Sequence, residues 1–175
     1  MLEEGYTHLY TGNGKGKTTA ALGLTLRAAG AGLRSIIIQF MKGQHYNELN
    51  SIEKLSGLIQ IEQYGSKKLC RVDDESYDEH YRLCQDGLVR AHEIIDDDRF
   101  SIIILDEIVT AFQFKMVAMD KIIEIIRRRP KNKELVLTGR GATQEIIDIC
   151  DLVTEMKEIK HYYNKGVLAR IGIEI

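Results

Sequence analysis

Tyr10-Thr11-Gly12-Asn13-Gly14-Lys15-Gly16-Lys17-Thr18-Thr19 is the stretch on which the fold of this chain turns. An alternating run through Tyr6, His8 and Tyr10 leads into it, and a helix rich in small residues, from about Thr18 to Ala31, follows. A strand, a glycine loop and a helix in that order form a phosphate cradle. Glycines let successive backbone N–H groups turn inward, and the helix adds its unpaired N–H groups and positive dipole end. Gly12 through Thr19 are therefore candidate nucleotide ligands, with Lys17 reaching the outer phosphates and the Thr18 hydroxyl binding the accompanying magnesium. Where the usual phosphate-loop pattern starts with Gly, this chain has Thr11, and Lys15 adds a further cation.

The remaining composition suits one nucleotide-binding unit over residues 1–175. Apolar residues make up 44% of the 175, enough for a core, and a single Pro with no polar linker or repeat marks no boundary. The formal charge of −2 argues against a surface that coats nucleic acid, and Arg127-Arg128-Arg129 read as a solvated helix end. Cys70, Cys84 and Cys150 are odd in number and lack CxxC spacing, so they read as reduced thiols of a cytoplasmic protein without a zinc site. Met1-Leu2-Glu3-Glu4 carries no apolar segment of a signal peptide, and no run suits a membrane span.

Arg34 to Phe40 is a β-branched run expected to be a strand buried on both faces, with Met41-Lys42-Gly43 at its carboxyl end on the phosphate-loop edge. Glu48 to Leu55 predicts a short helix, Leu58 to Tyr64 a strand, and Gly65 to Arg71 a loop. From about Asp74 to Ile95, the spacing of Tyr77, Tyr81, Cys84, Leu88, Ala91 and Ile95 predicts one helix stripe, with Asp73, Asp74 and Glu75 at its positive end. His80 and His92 lie off that stripe and are read as solvated. Gly87 costs that helix about 1 kcal/mol relative to Ala, which close packing would explain.

Phe100 to Glu107 is the second informative run. Four aliphatic residues leading into Asp106 and Glu107 describe a central strand that delivers carboxylates to the phosphate edge, where one of them holds magnesium directly or through water. A helix from about Asp120 to Arg129, with Ile122, Ile123 and Ile126 inward, precedes a strand that ends in Thr138-Gly139-Arg140-Gly141. Arg140 can bind phosphate or pair with an acid. A helix near Thr143 to Cys150, a strand at Leu152 to Met156, and a hairpin turning at Asn164-Lys165-Gly166 into a strand from Val167 to Ile173 complete an α/β, three-layer, mostly parallel architecture.

Taken together, Thr11 to Ala21, Gln39-Phe40-Met41-Lys42-Gly43, Leu105-Asp106-Glu107, Leu137 to Gly141, Val153 to Met156, Lys160-His161 and Gly172-Ile173-Glu174 resemble the P-loop family of ATP:cob(I)alamin adenosyltransferases over nearly the whole chain. The resemblance implies a P-loop (RecA-like) fold and attack of a Co(I) corrinoid on the ribose 5′ carbon of ATP, with triphosphate leaving. ATP and cobalamin or another corrinoid are then substrates, with Mg2+ or Mn2+ as the ion. It also implies a homodimer and a flavoprotein electron donor, and no nucleic-acid or membrane partner. Such a nucleophile carries no proton to remove, so orientation and leaving-group stabilisation are the protein's tasks. By position, Lys17 and Glu107 are the catalytic candidates, Thr18, Asp106 and Glu107 the metal candidates, and Arg27 lies where the family also has Arg near the nucleotide. Longer members carry an N-terminal segment over the active site. Better-known members place Phe and Trp in the loop matching Gly65 to Arg71, whereas this chain has no Trp. Residues alone leave two other readings open: an ATP-hydrolysing module with Glu107 as base, and a nucleotide switch.

Overall fold

The computed structural model describes residues 2–55, 57–68 and 76–175. Six strands form one sheet: β1 (Thr7–Thr11), β2 (Ser35–Phe40), β3 (Ile59–Tyr64), β4 (Ile102–Asp106), β5 (Glu134–Thr138) and β6 (Leu152–Glu155). Their order is β3-β2-β4-β5-β1-β6, and every pairing is parallel, so the sheet goes beyond the mostly parallel expectation. The helices are α1 (Lys17–Gly30), α2 (Asn47–Lys54), α3 (Ser76–Ile94), α4 (Ile108–Gln113), α5 (Met119–Arg128) and α6 (Gln144–Ile149).

Alternation along the strands divides the core into two layers. Ile36, Ile38, Phe40, Ile103, Leu105, Leu135 and Leu137 pack with residues of α3 to α6 such as Cys84, Leu88, Ile108, Ile122 and Ile146. Ile37, Ile102, Ile104 and Val136 point to the other face and pack with Ala21 and Ala28 of α1 and Ile52 of α2. Because side chains alternate with period two, Gln39, Asp106 and Thr138 must follow Ile37, Ile104 and Val136 onto the α1 face. Register places Gln39 beside Asp106 and Leu105 beside Leu137, which brings Thr138 level with Asp106 from the other side.

Four expectations are corrected. His80 is buried on α3: its Nδ1 accepts the Ser66 N–H at 3.3 Å and its Nε2 meets the Lys68 carbonyl at 3.0 Å, an arrangement that ties down the loop after β3. The helix therefore turns His80, Gly87 and Ile94 inward, and Tyr81 outward. In α5, Ile125 is buried where Ile123 was expected, because the inward stripe falls at 122, 125 and 126. The terminal hairpin is absent: Tyr162–Lys165 is a 3-10 helix with Gly166 left-handed after it, and no strand follows β6 among the described residues. Finally, Arg129 does not simply face solvent. Its guanidinium bonds the Gly5 and Lys133 carbonyls and the Thr7 hydroxyl, pinning the entrance of β1.

Helix α4 has no counterpart in the sequence reading. Asp73 to Glu75, expected at the start of α3, and Leu69 to Arg71 of the loop lie outside the described residues. Gly87 is explained: a Cβ there would stand 3.0 Å from Phe40 and Tyr64, so the glycine lets α3 approach β2 and β3. Among the described residues no helix is long and apolar enough to cross a membrane.

Candidate nucleotide site at the carboxyl edge of the sheet

A cavity of about 610 Å³ opens at the carboxyl ends of the strands, lined along one wall by Asn13 to Thr19 and along others by Lys42, Glu107 and Arg140. The loop takes its shape from the backbone. Gly12 has φ 92° and lies so close to the Met156 carbonyl that a Cβ would come within 2.5 Å of it; Gly14 donates its N–H to the same carbonyl at 2.6 Å. Thr11 is tolerated where the pattern has Gly because it is still the last residue of β1. The left-handed turn starts one residue later, and the Thr11 hydroxyl accepts the Ala142 N–H. Gly16 precedes α1, whose unpaired N–H groups face the cavity wall.

Lys17 curls back over its loop, donating to the carbonyls of Gly12 at 2.7 Å and Gly14 at 2.9 Å. Burial and the nearby Arg140 charge lower its pKa, while Glu107 and Asp106 oppose that shift. Lys15 reaches the other way, to the Ile173 carbonyl at 2.8 Å and the Glu174 carboxylate at 3.5 Å. The Gly172-Ile173-Glu174 signature is thus held against the phosphate loop. Glu174 is itself gripped by Arg170 and the Tyr162 hydroxyl, whose hydrogen bonds hold its carboxyl down to about 2.

Asp106 is the hub, with no exposure at all. Its Oδ1 accepts the Thr18 hydroxyl at 2.9 Å and the Thr138 hydroxyl at 2.7 Å; its Oδ2 accepts Gln39 Nε2 at 3.2 Å and Lys42 Nζ at 2.8 Å. Lys42 also donates to Thr18 Oγ1 at 3.0 Å. Burial alone would lower the pKa of Lys42, but the Asp106 carboxylate beside it outweighs burial and raises it. Thr138 accepts the Glu107 N–H at 2.9 Å while donating to Asp106, so the strand between β1 and β4 supplies the bridge.

Glu107 takes φ 62°, which ends β4 and turns the chain into α4. Its carboxylate accepts the Thr110 hydroxyl, and that hydroxyl accepts the Arg140 N–H at 3.0 Å. Of the sequence candidates, Asn13 to Thr19, Glu107 and Arg140 line the cavity and Asp106 lies beneath it, whereas Arg27 is exposed in the last turn of α1 and outside the lining. His161 lines the cavity and Lys160 does not. Sequence motifs alone assign no role to Lys42, Thr138, Gln39 or Glu174; strand parity and register point to Gln39 and Thr138.

A hydroxyl and a buried carboxylate are hard oxygen donors that suit Mg2+, which binds through one or two carboxylates and takes its other ligands from phosphate and water. Among the described residues no cluster of three His, Cys, Asp or Glu could hold a metal by itself. The donor set therefore fits an ion that arrives with its nucleotide.

Residues 3–175 match the family model described as ATP:corrinoid adenosyltransferase BtuR/CobO/CobP. The chain is 31% identical over 173 residues to a corrinoid adenosyltransferase of Escherichia coli (strain K12), covering 98% of this chain and 86% of that one. It is 33% identical to a corrinoid adenosyltransferase of Sinorhizobium sp, over 98% and 81%, and 30% identical to the corrinoid adenosyltransferase CobA of Salmonella typhimurium, over 98% and 86%.

Proposed function

The chain belongs to the ATP:corrinoid adenosyltransferase family, and from that premise we propose that its carboxyl-edge cavity holds the triphosphate of ATP while a Co(I) corrinoid takes the adenosyl group. The activity is ATP-dependent adenosyl transfer to a corrinoid, in cobalamin synthesis or salvage. The cobalt electron pair forms the Co–C5′ bond as C5′–O breaks, and the leaving oxygen carries its pair away on inorganic triphosphate.

The observation that carries the site assignment is the convergence of the Thr18 hydroxyl on the buried Asp106 at the mouth of a loop whose Lys15 and Lys17 stand ready with Arg140 to balance phosphate charge. Phosphate would draw Lys17 off the Gly12 and Gly14 carbonyls. Thr18 and Asp106 would hold Mg2+ or Mn2+, with Glu107 close by, and such an ion supplies charge neutralisation of the departing triphosphate. Gly12 through Thr19 would wrap the phosphates, and Arg140 would add a planar cation. Arg27 would act only from the far end of α1.

We read the chain as a single cytoplasmic domain that works as a homodimer and receives electrons through a flavoprotein. The free thiol of Cys150 favours a reducing compartment. Exposed Leu152 and Val153 on edge strand β6, with Leu168 and Ile171, favour association. The test is product analysis with ATP, Mg2+ and chemically reduced cobalamin. Triphosphate formed one for one with adenosylated corrinoid is expected; ADP and phosphate formed without corrinoid would overturn the reading in favour of a hydrolase.

A further inference from the structure

The Lys42 ammonium stands 2.8 Å from Asp106 Oδ2 and 3.0 Å from Thr18 Oγ1, the two groups that suit the ion. A cation bound by both oxygens excludes a second cation there, since Mg2+ needs its oxygens at about 2.0–2.1 Å and would meet the ammonium at close range. Lys42 borders open space. It sits on the left-handed turn after β2, begun by Met41 at φ 59°, its Nζ is 5.5 Å from the centre of the Tyr46 ring, and its side chain lines the cavity that also holds Lys15, Lys17 and Arg140.

Resting on the nucleotide-site reading above, we propose that Lys42 is a displaceable cation: it guards the Thr18–Asp106 site while no nucleotide is present and turns onto the triphosphate when the metal enters. The exchange keeps charge balanced at both ends. Asp106, with no exposure, never stands without a cation, and the triphosphate gains a cation as its metal arrives. Free metal is held off, because alone it must expel Lys42 from Asp106 and brings no triphosphate to receive the ammonium, leaving it only the weaker pull of Glu48 and Glu107. After transfer, the return of Lys42 to Asp106 competes with the metal and favours release of the metal–triphosphate product. Lys42 is in this view both a triphosphate ligand and the group that couples metal entry to nucleotide entry.

Binding measurements test this apart from turnover. Mn2+ alone, titrated by electron paramagnetic resonance, should bind Lys42→Met at least tenfold more tightly than wild type, and Mg2+ alone should raise the melting temperature of Lys42→Met but not of wild type. Mg2+–tripolyphosphate, titrated calorimetrically, should bind Lys42→Met at least tenfold more weakly. Equal Mn2+ affinity in the two proteins, or unchanged tripolyphosphate affinity, would overturn the proposal. If Lys42→Met does not fold, the lysine ammonium 1H–15N resonances of wild type decide: that of Lys42 should shift with Mg2+–tripolyphosphate and stay with Mg2+ alone, and no shift with Mg2+–tripolyphosphate overturns the idea. Wild type that binds no Mg2+–tripolyphosphate at all would instead bring down the nucleotide-site reading, and the second half of the role of Lys42 with it.

Discussion

Replacing Asp106 by Asn removes one charge from a site with no solvent to replace it. In the intact protein this carboxylate accepts from Thr18, Thr138, Gln39 and Lys42. Asn keeps one acceptor, enough for a threonine hydroxyl, but turns an amide N–H2 toward Gln39 and Lys42, both donors. Breaking a buried ion pair by removing one partner costs about 3–5 kcal/mol. Lys42 retains 16% of its side-chain exposure and can lean toward Glu48 or Glu107, so the lower end, about 3 kcal/mol, applies. For a chain of this length that lowers the melting temperature by about 6–12 °C. Lys42→Met leaves Asp106 unpaired and should cost a similar amount, whereas the double variant removes both charges and should lie within about 1 kcal/mol of wild type. Thermal unfolding by circular dichroism of all four proteins in chelator measures the coupling. Additive losses in the double variant, or an Asp106→Asn protein as stable as wild type, would refute the argument.

Lys17→Ala removes a cation from the loop while leaving the backbone cradle, and adenosylation should fall at least about tenfold, near 1.4 kcal/mol of transition-state stabilisation, in a steady-state assay. Glu107→Gln should weaken magnesium binding, with excess Mg2+ partly restoring activity; a loss that no Mg2+ concentration relieves would point to a base instead. Gly43→Ala would put a Cβ 1.9 Å from the Gly65 carbonyl oxygen, a backbone atom, so the loops after β2 and β3 must part at a cost of about 2–3 kcal/mol, read by urea unfolding. Burial pushes the Glu134 carboxyl up, but hydrogen bonds from His8 and the Tyr6 N–H and the His8 and Arg129 charges outweigh it, so its pKa lies below the ordinary value. A depressed carboxyl stabilises the fold above its unfolded pKa, and that stability is lost as pH falls through the folded one. Glu134→Gln should therefore lose less stability than wild type as pH falls below the ordinary carboxylate value, measured by thermal melts.

The layers of the fold were readable because their signals are local. Arg34 to Phe40 and Phe100 to Asp106 are apolar on both faces, which only a sheet covered by helices on each side satisfies. The phosphate loop carries its own geometry in Gly12, Gly14 and Gly16. Where the reading failed, the deciding interaction joined residues distant in sequence. His80 interrupts an apolar stripe and looks solvent-facing until the loop after β3 places a donor on one ring nitrogen and a carbonyl near the other. The stretch from Val167 to Ile173 has strand-like residues but joins neither edge of the sheet. It folds instead through Arg170, Glu174 and Tyr162 into a turn beside Lys15.

The site shows the same division. Thr18, Asp106 and Lys17 follow from strand–loop–helix order alone, but the neighbours that hydrogen-bond Asp106 do not. Gln39 and Thr138 reach it because the sheet order puts β4 between β2 and β5, and a different order with identical strands would have left the aspartate with other partners. Lys42 is harder still to foresee, since a lysine after a strand on the phosphate edge suits a ligand for nucleotide as well as it suits an ion pair. Geometry answers that Lys42 pairs with the aspartate. The metal and the lysine then compete for one pair of oxygens, so removing the lysine charge should strengthen the metal's hold even as it weakens the triphosphate's. A lysine that only paired with Asp106 would leave the triphosphate's hold unchanged.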